Sequence, residues 1–306
     1  MKTIKKVLIC GLGGLGCICA SKIADSKCSD LKVLVDEQRY KKYLNQPTIF
    51  NEKKYFFDLI KPDSNEYKAD LVIIATKNDG LAFAIKNIKN FIQNDTIIIS
   101  LLNGITSEEE IAKIYGWENI ISSFYIGHSC IREGRKITQD GVYKFVIGNR
   151  NNKKNQVIKR LTDFFDETKI NYEFSDTFYD DYWKKFIINI GINQLSAAEE
   201  KTLKEIKADK KLTDMLKALM KEAQNIAEKC NIKNHALVYE KAINFLLHEI
   251  DDAYPSMLQD IKAGRKTEVD IFSGTIIKLG KKYKVPVPAN TAIYEKIKEK
   301  EKLYMV

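Results

Sequence analysis

A glycine-rich turn close to the start of the chain constrains the fold more than any other feature of the sequence. The turn consists of Gly11, Leu12, Gly13, Gly14, Leu15 and Gly16. It follows an apolar run that ends at Cys10, and a helical segment continues from it to about Asp25. Between a strand and a helix, Gly-x-Gly-x-x-Gly permits a tight turn, the approach of a pyrophosphate and close packing of the helix. Free amides at the helix N-terminus attract phosphates. We therefore expect a dinucleotide here, although glycines at such turns also serve packing alone.

The acidic residue after the second predicted strand bears on the choice of cofactor. That strand covers residues 31–35. Asp36 follows it directly, about 20 residues beyond the glycine turn. A carboxylate at this position usually binds the ribose hydroxyls of NAD and repels the extra phosphate of NADP. Arg39, Lys41 and Lys42 follow closely and offer positive charge to that phosphate. An exposed strand-to-loop junction also accounts for all four residues, so the choice between NAD and NADP stays open.

Apolar runs separated by helices predict a parallel sheet with both faces covered. Strands at residues 69–75 and 96–100, with a helix at about 80–91 between them, continue the pattern. In such open sheets, ligands bind beyond the carboxyl ends of the strands. Lys77 and Asn103 follow these two strands, so both are candidates to lie beside a nicotinamide. Asn103-Gly104 taken alone also fits an ordinary turn.

The pattern changes to long helical periods after about residue 175. Before that point, residues 136–138 and 142–148 predict a hairpin. Beyond it, helices are predicted at residues 176–198, 212–230, 235–249, 269–282 and 289–302. The sequence therefore predicts an α/β protein with an N-terminal Rossmann-type, doubly wound parallel sheet followed by an all-α C-terminal domain. We assign residues 1–175 to dinucleotide binding and residues 176–306 to substrate binding and catalysis.

A row of polar residues marks the first helix of the second half. Lys185, Asn189 and Asn193 lie at i, i+4 and i+8, on one face of a helix whose other positions are mostly apolar. A buried amine or amide without a partner costs about 1–3 kcal/mol. The row therefore faces either solvent or a cavity that holds a ligand, and spacing alone does not decide between them.

Two further segments carry candidate polar residues. Pro255 and Ser256 suit a helix start, and Thr267 suits a cap with Glu268 in the first turn of its helix. In the functional interpretation, Ser256 and Glu268 face the polar row instead. His128 is a less favoured candidate acid, because a structural, hydrogen-bonded imidazole is the commoner case.

Composition excludes several classes of partner. The net charge of +9 suggests nucleic acid, but the lysines are interleaved with Asp and Glu, as in Lys296–Lys302, so we expect a solvated surface and no nucleic acid. We find no uncharged apolar run of membrane-spanning length and no signal peptide, and we expect a cytoplasmic protein without membrane contact. The six cysteines are scattered and predict reduced thiols with no metal site.

Over essentially its full length the chain resembles the ketopantoate reductase family. The resemblance is carried, in the family's order, by Gly11–Gly16, Thr76-Lys77, Leu102-Asn103-Gly104, Lys185-x-x-x-Asn189-x-x-x-Asn193, Ser256-Met-Leu-Gln-Asp260, Lys266-Thr-Glu268 and Val285-Pro-Val-Pro-Ala-Asn290-Thr. It implies a Rossmann domain, a helical domain and a cleft between them. It also implies NADPH-dependent reduction of 2-dehydropantoate to pantoate, on the route to pantothenate.

The resemblance also implies roles for individual residues. Lys185 is the expected proton donor, and Glu268 is expected to place substrate and cofactor. Asn103, Asn189, Asn193 and Ser256 are the expected substrate-binding residues, while Lys77 and Asn103 lie at the nicotinamide end. Hydride delivery to a ketone produces an alkoxide that needs a proton and a nearby cation, and a lysine in a partly dry cleft supplies both.

Two departures from the family pattern keep a rival open. Asp36-Glu37 stands where many members carry an arginine, and Ala253 stands where some carry an asparagine. They favour an NAD-dependent reductase of another 2-keto acid, a D-2-hydroxyacid dehydrogenase on the same fold. A non-catalytic nucleotide-sensing or nucleic-acid-binding module is the alternative from a different class. The sequence leaves oligomeric state open, with a homodimer as one expectation.

Overall fold

The computed structural model describes residues 2–127 and 130–304, and these fall into two compact units. The first unit comprises the described residues up to Leu102 together with Ser107–Phe178. The second comprises Asn103–Thr106 and the described residues after Phe178. The turn Asn103–Thr106 thus groups with the helical unit, whereas the sequence placed it in the nucleotide-binding half. None of the described helices is both long enough and apolar enough to cross a membrane.

Short strands dominate the first unit. Among the described residues the strands are β1 (Lys6–Cys10), β2 (Asp30–Leu34), β3 (Thr48–Phe50), β4 (Lys53–Tyr55), β5 (Asp58–Ile60), β6 (Leu71–Ile74), β7 (Ile97–Ser100), β8 (Ile120–Gly127), β9 (Ile131–Glu133), β10 (Lys136–Thr138), β11 (Tyr143–Gly148) and β12 (Tyr172–Phe174). Eight of them form one sheet in the order β12-β11-β8-β7-β6-β1-β2-β5. All neighbours in this sheet run parallel except β11, which runs antiparallel to β8.

Helices account for most of the remaining regular structure. In the described part of the chain they are α1 (Gly14–Ser26), α2 (Glu37–Tyr43), α3 (Leu81–Asn87), α4 (Ser107–Tyr115), α5 (Gln156–Thr168), α6 (Phe178–Glu199), α7 (Leu203–Ala208), α8 (Lys210–Lys229), α9 (His235–Asn244), α10 (Ser256–Lys262), α11 (Ser273–Tyr283) and α12 (Pro288–Tyr304). Short 3₁₀ turns flank α3, and a π-helical turn, Phe245–Glu249, continues α9.

Alternating residues of the central strands supply two apolar cores, one on each face of the sheet. Val7 and Ile9 of β1 contribute to the core under α1 and α5. Leu8 and Cys10 contribute to the core under α3 and α4. Strands buried on both faces read as continuous apolar runs because every side chain, odd or even, meets a helix layer. The predicted doubly wound parallel sheet followed by a helical region is confirmed.

The predicted hairpin of residues 136–148 is wrong. β10 pairs with β3 and β9 in a separate four-stranded sheet of order β4-β3-β10-β9, whereas β11 joins the main sheet. The Asn51 side chain donates to the Gln139 carbonyl at 2.9 Å and accepts from the Gln139 amide at 2.9 Å. These two bonds occupy the backbone of Gln139, the residue that follows β10. They hold the end of β10 to the small sheet and away from β11.

The helical unit is built around α6. Its apolar side chains, including Phe186, Ile187 and Ile190, form one core with α8, α11 and α12. A Cβ at Gly191 would lie 2.7 Å from the Met220 side chain, so the glycine permits α8 to approach α6 closely.

Candidate functional site

Two glycines of the glycine turn are required by close packing inside the first unit. Gly11 has a φ of +102°, and a Cβ there would lie 2.7 Å from the Ala75 carbonyl oxygen. A Cβ at Gly16 would lie only 2.0 Å from the Gly11 carbonyl oxygen. Packing within the chain therefore demands glycine at both positions.

Gly13 is different, because the chain itself does not demand a glycine there. The one described neighbour within 4 Å of a Cβ at Gly13 is the Ala75 carbonyl oxygen at 3.9 Å, an ordinary contact. Gly13 is also the N-cap of α1 and supplies no side chain to the first amides of that helix. Glycine at position 13, beside helix amides that no side chain caps, is consistent with the close backbone approach of a pyrophosphate, so the turn fits a dinucleotide.

Asp36 and Arg39, which the sequence left as competing determinants of the cofactor, pair with each other. The segment after the second strand is a helix start, not the exposed strand-to-loop junction that was one alternative, since Asp36 is the N-cap of α2 and accepts from the Arg39 amide at 2.7 Å. The Asp36 carboxylate also forms an ion pair with the Arg39 guanidinium. Lys41, a third candidate, pairs with Glu37 at 3.4 Å. The Asp36 carboxylate is therefore the first of these charged groups after β2, and the Arg39 guanidinium forms an ion pair with it.

The other predicted residues of the first unit lie at the same edge of the sheet. Lys77 is exposed and follows β6 as the N-cap of a short 3₁₀ turn. Leu12 and Leu15 are partly buried and pack against the core under α1. His128 lies outside the described residues.

In the second unit, three candidate side chains form a hydrogen-bonded chain. The Lys185 ammonium, on α6, donates to the Asn103 side-chain oxygen at 3.2 Å. The Asn103 amino group in turn donates to a Glu268 carboxylate oxygen at 2.9 Å. Asn103 therefore links the cation to the carboxylate, a role that the sequence did not predict.

A close turn brings Asn103 to this position. Gly104 has a φ of +90°, and a Cβ there would lie 3.4 Å from the Cβ of Ile271. Ile271 belongs to the same turn as Glu268, since its amide donates to the Glu268 carbonyl at 3.1 Å. The two turns pack on each other, and this contact sets the separation of Asn103 and Glu268.

The environment of Lys185 tunes its acidity. Burial lowers the pKa of the Lys185 ammonium to about 8, and the charge of Glu268 opposes this and raises the pKa. An amine with a pKa near 8 is mostly protonated at neutral pH but gives up its proton readily. Such a shift at a lysine with a charged partner marks a candidate acid.

The remaining substrate-binding candidates divide into a pair and a separate residue. The Asn193 amino group donates to the Asn189 side-chain oxygen at 3.0 Å, so these two form a pair on α6. Ser256 begins α10, and its hydroxyl does not cap that helix. Among the described residues, no hydrogen bond joins Ser256 to Lys185 or Glu268.

Behind Glu268, Thr267 has a different role from the predicted one, and its partner Glu301 was not a predicted site residue. The helix predicted from residue 269 begins at Ser273, and Thr267 does not cap it. The Thr267 amide and hydroxyl instead donate to Glu301, each at 2.7 Å. Glu301 was assigned to a solvated surface, but it occupies the buried row of α12 that Ile293 and Ile297 begin at four-residue spacing. That spacing was the available signal.

Both units match models of one protein family. Residues 7–152 match the model described as Ketopantoate reductase PanE/ApbA. Residues 177–301 match the model described as Ketopantoate reductase PanE/ApbA C terminal.

Individual relatives agree with the family match. The chain is 29% identical over 242 residues to a 2-dehydropantoate 2-reductase of Aquifex aeolicus (strain VF5), covering 76% of each chain. It is 29% identical over 243 residues to the enzyme of that name from Pyrococcus horikoshii, covering 77% of each. Among solved structures, a ternary complex of D-mandelate dehydrogenase with NADH and anilino(oxo)acetate superposes with a TM-score of 0.85 at 25% identity, covering 98% of this chain and 100% of that one.

Proposed function

This chain belongs to the ketopantoate reductase family, and we propose that it reduces the keto group of 2-dehydropantoate with NADPH to give pantoate, a step of pantothenate biosynthesis. At the level of the family it is an NAD(P)H-dependent oxidoreductase acting on a 2-keto or 2-hydroxy acid. The non-catalytic alternative is thereby set aside. The observation that carries the proposal is the hydrogen-bonded chain from Lys185 through Asn103 to Glu268.

Lys185 is the proposed proton donor. A dinucleotide whose pyrophosphate is bound at the glycine turn would supply the hydride from its nicotinamide ring. The Lys185 ammonium stabilises the negative charge that develops on the carbonyl oxygen and then transfers a proton to it, a contribution of about 10²–10⁴ in rate. Its pKa of about 8 makes this transfer favourable near neutral pH.

Asn103 and Glu268 keep Lys185 charged and oriented. The Asn103 oxygen accepts from the ammonium, which fixes the direction of one N–H bond. The Glu268 carboxylate favours the protonated state of Lys185. The Asn103 side chain bonds to both groups, so it holds the Glu268 carboxylate close enough to favour the charged ammonium.

Neutral polar groups bind the rest of the substrate in this proposal. Asn189, Asn193 and Ser256 offer amide and hydroxyl groups to the substrate's carboxylate and hydroxyl without adding charge. The Asn189–Asn193 bond uses one amino group and one oxygen. Among the described residues, the amino group of Asn189 and the oxygen of Asn193 have no hydrogen-bond partner, so both are available to a ligand.

A second candidate is an NADH-dependent reductase of another 2-keto acid. The specific observation in its favour is the Asp36–Arg39 ion pair, since a carboxylate suits the ribose hydroxyls of NAD and Arg39 is engaged in the pair. The D-mandelate dehydrogenase structure similar to this one contains NADH. Ala253 in place of an asparagine supports the same candidate. A cytoplasmic location and a homodimer stay predictions.

Steady-state kinetics separate the two candidates. Rates with NADPH and with NADH are measured first on 2-dehydropantoate and then on branched and aromatic 2-keto acids. The first candidate predicts the highest kcat/KM for 2-dehydropantoate with NADPH. Absence of turnover of 2-dehydropantoate with either cofactor would eliminate it, and efficient NADH-linked reduction of an aromatic or branched 2-keto acid would establish the second.

A further inference from the structure

A buried carboxylate on the last helix contacts the segment that carries Glu268. Glu301 is only 4% exposed. One of its oxygens accepts from both the amide and the hydroxyl of Thr267, each at 2.7 Å. The other oxygen pairs with Lys298, one turn earlier on α12, at 2.9 Å.

The fold alone gives no reason for a charge at this position. Ile293 and Ile297 precede Glu301 in the same row of α12, and a third apolar residue would complete the packing. A buried carboxylate is costly unless its lone pairs are satisfied. Here Thr267 and Lys298 satisfy them, so the arrangement fixes the backbone immediately before Glu268 at the expense of an apolar contact.

The turn that follows is held from several sides. The Thr267 hydroxyl also accepts from the Val269 amide at 3.3 Å. Asp270, two residues after Glu268, accepts from the Tyr294 hydroxyl of α12 at 2.8 Å and pairs with Lys298 at 3.3 Å. The backbone on both sides of Glu268 is therefore tied to one helix, while the Glu268 carboxylate points to Asn103.

We propose that Thr267 and Glu301 are positioning residues, which hold the Glu268 carboxylate where it supports the Lys185 ammonium through Asn103. This inference rests on the proposed function of Lys185 and deepens it. The hydrogen bonds of Thr267 and Glu301 reach the backbone next to Glu268, so both residues act on Lys185 through Glu268. The last helix of the chain thereby sets the acidity of a residue on α6.

The test uses variants of the full chain with single substitutions at the contact between Thr267 and Glu301. Thr267→Val removes the hydroxyl at nearly constant volume, and Thr267→Ser retains it. Glu301→Gln removes the charge but keeps an acceptor. Glu200→Gln is the matched control, because it removes a surface carboxylate that pairs with Lys262 and with Lys300 of the same helix α12.

Two readouts are compared for each variant: kcat and KM for the 2-keto acid, and the pKa of Lys185 from NMR titration of ¹³C-lysine-labelled protein, assigned with Lys185→Arg. We expect Thr267→Val and Glu301→Gln to lower kcat about tenfold and to move the Lys185 pKa below its wild-type value. Thr267→Ser and Glu200→Gln should keep both wild-type values. The NMR titration does not depend on turnover.

The two hypotheses fail in different ways. If Thr267→Val is folded, as judged by its thermal transition, and has the wild-type Lys185 pKa, the positioning role is wrong. The same conclusion follows if Glu200→Gln moves the pKa as far as Thr267→Val does. If the pKa shifts as expected but no 2-keto acid is turned over by the wild type, the positioning role stands and the proposed reaction fails. If Glu301→Gln does not fold, the comparison of Thr267→Val with Thr267→Ser tests the positioning role by itself.

Discussion

Helix α6 carries two polar regions that differ in how completely the protein satisfies them. Gln194 is fully buried, donates to the Ile190 carbonyl at 2.9 Å and accepts from the Ser273 amide at 2.9 Å. Asn189 and Asn193 bond only once to each other, at 3.0 Å. The polar groups of Gln194 are hydrogen-bonded inside the fold, and we call this the saturated region. The pair Asn189–Asn193 retains donors and acceptors for a ligand.

The saturated region extends across four helices. Asn290, at the start of α12, accepts from the Ser273 hydroxyl at 2.9 Å and donates to Glu222 of α8 at 2.8 Å. Glu222 also accepts from the Ala289 and Asn290 amides, at 2.8 and 2.9 Å, so a carboxylate from another helix caps α12. Polarity in a buried helix therefore marks a ligand site only where the internal partners run out.

The largest expected effect is at Lys185, which lies on the same face of α6 as Asn189 and Asn193. Lys185→Ala should lower kcat by about two to four decades, because the proton donor is lost, while cofactor binding survives. Lys184→Ala is the matched control, since this neighbouring ammonium lies 5.3 Å from the centre of the Phe245 ring. Stopped-flow turnover and fluorescence titration of the reduced cofactor check both variants. Wild-type turnover in Lys185→Ala would remove this lysine from the mechanism.

Gln194→Leu tests the saturated region. The substitution leaves the Ser273 amide without its acceptor, so the free energy of unfolding should fall by about 2–3 kcal/mol. The kcat of the folded protein should stay close to wild type. Urea unfolding measures the first quantity, and assays below the transition measure the second. A folded variant that has lost turnover would contradict the division between the two regions.

Asn189→Ala should give the opposite pattern. We expect KM for the 2-keto acid to rise about tenfold, because a ligand hydrogen bond is lost, with a smaller change in kcat. The free energy of unfolding should change by less than about 1 kcal/mol, since this side chain makes one hydrogen bond within the part of the chain that the structure describes. Initial-rate kinetics and urea unfolding provide the check. An unchanged KM together with a large loss of stability would show that Asn189 has a structural role, as Gln194 does.

The smallest expected effect concerns the cofactor. Asp36→Ser removes the carboxylate and frees Arg39, so kcat/KM for NADH should fall about fivefold and that for NADPH should rise. Glu37→Gln is the control, because Glu37 pairs with Lys41 and Lys61 and not with Arg39. The ratio of the two cofactor efficiencies is the measurement. An equal shift in both variants would show that only net charge matters.

The spacing of apolar residues and glycines along the sequence was enough to predict the main sheet and most helices. The apolar strands of the first unit and the glycine turn depend on near neighbours in sequence, and Lys185, Asn189 and Asn193 do share a face of one helix. The small sheet was missed because it depends on pairing between β3 and β10, which are far apart in the chain.

The candidate site was predictable as a set of residues but not as an arrangement. Its key contact joins Asn103 to Lys185 and Glu268, and no local pattern encodes such distant hydrogen bonds. Glu301 was assigned to solvent because its helix mixes charges of both signs, although its spacing from Ile297 marked it as buried. The Asp36–Arg39 pair likewise depends on helix α2, which was not predicted from the sequence.

The central claim is that the Lys185 ammonium donates the proton, and the pH dependence of kcat for 2-keto acid reduction tests it most directly. The charged form is the active one, so kcat should fall as pH rises through the Lys185 pKa of about 8. Glu268→Gln removes the charge that raises this pKa, so the fall should move to lower pH. A kcat that stays constant from about pH 7 to about pH 10, or a midpoint that Glu268→Gln leaves in place, would contradict the account.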